Sequence, residues 1–264
     1  MIAQFALRLI CGMSLMWALM PRRQVTSGFF RIQMLVVMGL GVLAALTAGM
    51  QTSNDALLSP SASSILAGVI AFLGFLGSVF WTLDRRIGGE RLGLDVFILS
   101  TVALFGTSLN SDGLERWNHW LPPLSQLAGA GVLGGTTVGM LLGHWYLTAP
   151  TMSIDPLKRI NLFLGVAGVL RLVVSGTVLV LLSVGLLDSA EATTRLMGAV
   201  PKVWLGLRWL AGVIGPIVVS LMVWRILKYR NTQAATGVLF VGVILAFIGD
   251  MTASLLLRET GLPL

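Results

Sequence analysis

In a chain of 264 residues, 56% are hydrophobic and only 11% charged, which excludes an ordinary soluble domain, where about a quarter of residues carry charge. With a mean hydropathy of +0.89, the composition predicts an all-α, polytopic integral membrane protein, a single transmembrane helical domain over residues 1–264. The formal charge of +7 sits in short basic clusters between apolar runs, as expected beside an anionic membrane surface, so membrane lipids and not nucleic acid are the expected partners.

Crossing a hydrocarbon core of ~30 Å takes about 20 apolar residues. Eight runs are long enough, at about 2–20, 33–50, 63–83, 92–109, 124–147, 160–187, 203–227 and 237–257, joined by short loops. The first has no basic region before it and no small-residue cleavage site after it, so it reads as a retained helix. It carries the lone Cys11, which excludes an intrachain disulfide and any zinc site built on several thiolates.

Orientation follows from charge. With eight spans, the loops after the first, third, fifth and seventh hold eleven basic residues, from Arg22 and Arg23 to Arg225, Lys228 and Arg230. The other side holds four, Arg116, Arg195, Lys202 and Arg258. The positive-inside rule then puts both termini away from the cytoplasm, in a plasma membrane of the bacterial inner-membrane type. Tryptophan favours the interface, and Trp17, Trp81, Trp145 and Trp224 each end a span beside the basic loops, whereas Trp117, Trp120, Trp204 and Trp209 fall toward the other face. A short internal echo links Leu7-Arg8 and Gly12 with Leu207-Arg208 and Gly212.

The fifth span contains Gly131, Gly135, Gly139 and Gly143. At every fourth residue they form a nearly bare ridge on one helix face, the GxxxG pattern along which a neighbouring backbone approaches closely. Such glycines weaken a helix in water, but in lipid the helix persists and the ridge becomes a packing seam. Gly215-Pro216 in the seventh span predicts a break, because proline removes a helical hydrogen bond. Asn231 or Thr232 is placed to cap the start of the eighth helix.

Ionisable residues inside spans are the first pointers to function, since each costs at least ~2.5–3.5 kcal/mol to insert. A rise of ~1.5 Å per residue puts Arg8, Arg208 and Asp250 ~20–22 Å from the cytoplasmic face and Arg171 ~16 Å from it. One carboxylate faces three guanidiniums in this outer layer. Pairing of Asp250 with Arg171 or Arg208, with Arg8 snorkelling outward, is one reading; an anionic ligand held by the surplus charge is the other.

A second layer is expected near the cytoplasmic face. Asp95 and His144 fall ~5 Å inside the same boundary, with Thr137 two turns before His144 and Tyr146 just after it. A carboxylate bonded to one imidazole nitrogen would leave the other for a quinone or lipid head group. The plainer reading has His144 capping a carbonyl and Asp95 at a helix start. Haem held by both histidines is excluded, because His119 precedes the fifth span and His144 ends it, ~30 Å away. No phosphate loop, metalloprotease helix, nucleophile elbow or paired-cysteine motif is present, so no cofactor or metal is expected within the chain.

Two functions fit. The first is a non-catalytic subunit of a larger membrane assembly with other membrane subunits as partners, an electron-transfer complex meeting a quinone at Asp95 and His144. The second is a transporter or channel for an anionic solute, using Arg171, Arg208 and Asp250.

Overall fold

The computed structural model describes residues 1–49, 56–109, 120–149, 151–184 and 199–260. All of its regular elements are helical: α1 (Ile2–Leu19), α2 (Ser27–Ala48), α3 (Pro60–Thr82), α4 (Arg86–Ser108), α5 (Leu121–Trp145), α6 (Asp155–Ser183), α7 (Ala199–Trp209), α8 (Gly215–Lys228) and α9 (Thr232–Thr260). A π turn, Leu210–Ile214, joins α7 to α8, so the two act as one crossing. Among the described residues, eight helical segments are long and apolar enough to span a membrane, as the hydropathy pattern predicts.

Several helices begin before their apolar run does. Hydropathy marks the residues that tolerate lipid, whereas the backbone ladder continues into the polar residues that cap it. Helix α4 therefore starts at Arg86, and α6 starts at Asp155 with Pro156 in its first turn. Proline is favoured there because its missing N–H would be unpaired anyway. The Ser59 side chain accepts from the Ala62 amide at 3.3 Å to cap α3, and Asn231 Oδ1 accepts from the Ala234 amide at 2.9 Å to cap α9, the latter as expected.

The helices form two four-membered rings. In the first, α1 packs on α2, α2 on α3, α3 on α4, and α4 back on α1. In the second, α5 packs on α6, α6 on α8, the α7–α8 crossing on α9, and α9 on α5. The rings join chiefly through α1 and α5, the two most buried spans. A helix made largely of Gly, Ala, Ser and Thr is thin, which lets α5 hold close neighbours on three sides.

Along the glycine ridge the neighbouring helices come close. A Cβ at Gly131 would come 2.9 Å from Ala167 Cβ, one at Gly135 3.1 Å from Leu164 Cβ, and one at Gly139 3.4 Å from Leu239 Cδ2; one at Gly143 would overlap Thr236. The ridge therefore faces α6 and, toward its end, α9. The tightest approach lies on another face of α5. There Gly134 meets Gly12 of α1 so closely that a Cβ on either would overlap the backbone of the other helix.

The break at Gly215-Pro216 takes a defined form. Pro216 cannot donate to Gly212, and the Gly215 amide bonds instead to Leu210 O, the i→i−5 pattern of a π turn. Gly212 lies in that turn, in backbone contact with Gly249 of α9. The echo between Arg8 with Gly12 and Arg208 with Gly212 thus marks a shared local task, an arginine one turn from a glycine crossing. It does not mark a repeat of the rings, because α1 and α7 occupy different places in them.

Two of the tryptophans expected at the interface belong to the core. Trp17 and Trp81 are buried, and Trp81 stacks on Phe30 with ring centroids 4.5 Å apart. Trp145 Nε1 donates to Thr26 Oγ1 at 2.8 Å and ties α5 to the start of α2. Trp224 is exposed, with the Lys228 ammonium 3.7 Å from its ring centroid. Large rings fill the spaces where helix ends converge, so their position in the chain does not separate lipid-facing from buried ones.

Candidate functional site

Four ionisable residues from four helices meet in one buried layer. Arg8 of α1, Arg171 of α6, Arg208 of α7 and Asp250 of α9 each have no more than 3% of their surface exposed. Their sequence separations say nothing of this meeting; the ring topology brings them together.

Asp250 is paired with Arg8. Arg8 Nη1 donates to Asp250 Oδ1 at 2.7 Å, Nη2 donates to Ser254 Oγ at 2.9 Å, and Nε reaches Gln4 O at 3.3 Å. This corrects two expectations, since the partner is neither Arg171 nor Arg208 and Arg8 does not snorkel to a surface. Close packing of α1 against the second ring offers Arg8 a buried carboxylate one helix away, and a short charge-assisted bond outweighs reaching past the helix end. Asp250 Oδ2 is buried and accepts no hydrogen bond from the described residues.

Arg171 has only neutral hydrogen-bond partners among the described residues. Its Nη1 donates to the Ser125 carbonyl in the first turns of α5, with Ser125 Oγ 3.3 Å away. Gly129, one turn further along α5, makes the space: a Cβ there would stand 2.7 Å from Arg171 Nη1. Arg208 Nη1 donates to Gly249 O at 3.3 Å and fills the room left by Gly212. Gly129 on the neighbouring helix and Gly212 one turn on in the same crossing are thus what admit the two guanidiniums.

Two small voids flank Arg171. One is lined by Arg8, Ser125, Gln126, Arg171 and Ser254, the other by Gly129, Arg171, Arg208, Gly212 and Asp250. Each has room for about one water-sized occupant. Gln126 Oε1, at the first, has no hydrogen-bond partner among the described residues. Sequence reasoning missed Ser125, Gln126, Gly129 and Ser254. Ser254 carried a readable signal, one turn after Asp250 on the same face; Ser125 and Gln126 looked like an ordinary polar helix start.

The second expected layer does not assemble. Asp95 and His144 are both exposed and form no hydrogen bond or ion pair with each other. Helix α4 begins at Arg86, so Asp95 stands nine residues into it, whereas His144 is one residue from the end of α5. Thr137 is buried, with no partner for Oγ1 among the described residues. Tyr146 turns away to donate to the Ser153 carbonyl, and burial raises its phenol pKa above the usual value, so it stays neutral. His119 lies outside the described residues, as do Arg116, Trp117 and Arg195. Among the described residues no cluster of three or more His, Cys, Asp or Glu side chains is placed to hold a metal ion.

The fold and site define a helical, multi-pass membrane protein with a buried arginine–aspartate layer. Comparison with protein-family models, with curated proteins and with solved structures finds no match.

Proposed function

We propose that this chain is a transporter or channel for a small monovalent anion, with Arg171, Arg8 and Arg208 as the binding layer and Asp250 as its internal counter-ion. The observation that carries this reading is Arg171, a buried guanidinium whose partners are the Ser125 carbonyl and hydroxyl and no carboxylate among the described residues. An intramembrane charge is expensive unless something neutralises it. A ligand beside Arg171, where the two voids already open, would supply the missing negative charge. The π turn beside Arg208 adds support, because π turns and interrupted helices recur where membrane proteins bind ions.

The basic loops support an orientation with both termini outside, which puts the layer in the outer half of a plasma membrane. The quinone-linked reading has less behind it, because Asp95 and His144 form no hydrogen bond or ion pair with each other. Nothing in the layer calls for bond-making chemistry, and binding and release are all this function asks of it.

The test is flux in proteoliposomes loaded with chloride, nitrate or formate. At least one of these should leave faster than from empty liposomes, and Arg171→Gln, which keeps a donor for Ser125 but loses the charge, should slow it about tenfold, the effect of losing ~1.4 kcal/mol of differential binding. Flux unchanged by the substitution, or wild-type flux equal to that of empty liposomes, contradicts the proposal.

A further inference from the structure

We infer that anion binding in this layer is coupled to uptake of one proton by Asp250, so that the protein moves a small anion and a proton together. The inference rests on the anion reading above and adds the coupled ion. Its structural basis is the asymmetry of the Arg8–Asp250 pair: Oδ1 is engaged at 2.7 Å, while Oδ2 is buried with no hydrogen bond from the described residues.

Without ligand, Arg8 needs the Asp250 carboxylate, and both are buried within one salt bridge. Arg8 and Arg171 line the same void, so an anion entering there becomes a second counter-charge for Arg8. The carboxylate is then no longer needed in ionised form, and a proton taken from water onto Oδ2 leaves the layer with the net charge it had before. One negative charge and one proton have entered, no covalent bond between heavy atoms has changed, and the neutral carboxyl still accepts from Arg8 through Oδ1. Release of the anion restores the demand for a carboxylate and expels the proton. By linkage, whatever factor the anion adds to proton affinity, the proton adds to anion affinity.

The charged groups around Asp250 are Arg8 on α1, Arg171 on α6 and Arg208 on α7; α5 contributes Gly129, Val132 and Leu133, which do not titrate, and α9 itself contributes Ala246. Toward the chain ends, the Met1 ammonium interacts electrostatically with Arg8 and Arg258. No second carboxylate stands in the layer among the described residues, so the proton has one acceptor there.

Chloride, nitrate and formate are the probes, added to wild-type protein in weakly buffered detergent solution with a pH indicator. Calorimetry counts anions bound and the indicator counts protons taken up. One proton per bound anion is expected, and Asp250→Asn should take up none. In proteoliposomes with the membrane potential clamped at zero, a pH difference of one unit should drive a wild-type anion gradient of about tenfold, because the two ions share one electrochemical balance. Binding without proton uptake, or anion flux indifferent to the pH gradient, overturns the coupling while leaving the anion site intact. Proton uptake that survives in Asp250→Asn overturns the assignment to Asp250. No binding of any probe means that the anion reading has failed, and the coupling with it.

Discussion

Gly134→Ala should prevent α1 and α5 from meeting and so disrupt the junction between the two rings. A Cβ at this position would overlap the backbone carbonyl of Gly12, and one at Gly12 would overlap the carbonyl of Ala130. A flexible side chain can swing away from an added methyl, but a backbone carbonyl inside a helix cannot, so the helices must separate. Overpacking commonly costs ~1–3 kcal/mol, and backbone overlap at the most buried crossing places this variant at or above the top of that range. The measurement is thermal unfolding in mild detergent, where a loss of ~3 kcal/mol should lower the midpoint by about 10 °C. Gly68→Ala is the matched control, since nothing lies within 4 Å of its added Cβ, and it should leave the midpoint unchanged or slightly raised. Equal behaviour of the two variants would show that the α1–α5 approach is looser than the geometry described.

Arg8→Ala should be the most damaging change in the charged layer. It removes the only hydrogen-bond donor to Asp250 Oδ1 among the described residues and leaves a buried carboxylate whose second oxygen already has no partner among them. Breaking one side of a buried pair typically costs ~3–5 kcal/mol, whereas replacing both partners by apolar groups is often far milder. Arg8→Met combined with Asp250→Leu should therefore be more stable than Arg8→Met alone, by roughly 2 kcal/mol or more. The check is a double-mutant cycle on unfolding in detergent. Strict additivity would mean that the Arg8–Asp250 contact contributes little to holding α1 against α9.

The number and order of the crossings were legible in the sequence, because an apolar run of about twenty residues, in a chain so poor in charge, matches the thickness of a bilayer core and little else. Spacing by four also marked the ridge from Gly131 to Gly143 as a seam, since that period fixes one helix face whatever the neighbours are. It could not say which neighbours. Gly134 sits off that ridge, and only the tertiary arrangement reveals that Gly12 of α1 lies against it. The charged layer was partly legible in the same way. Counting residues put Arg8, Arg171, Arg208 and Asp250 at similar heights, and the helices do bring them together, but rotation about each helix axis decides partners, and that rotation is set by packing. Asp95 and His144 illustrate the reverse case. Their heights were counted from the ends of apolar runs, which says nothing of rotation about each helix axis, and both side chains are exposed and unpaired with each other.

The interruption in the seventh crossing links the fold to the proposed function. Arg208 precedes the π turn, Gly212 lies within it, and Pro216 follows it, so the segment that supplies one guanidinium also carries an interrupted α-helical ladder. Such a segment is a natural place for a binding layer to open and close.

Diffraction from crystals grown in a lipid phase, with bromide in place of chloride, locates any anion held beside Arg171. An anomalous peak is expected within hydrogen-bond reach of the Arg171 guanidinium, in the void lined by Arg8, Ser125 and Gln126. A well-ordered layer holding only water, at bromide concentrations that label other sites on the protein, rules out an anion there.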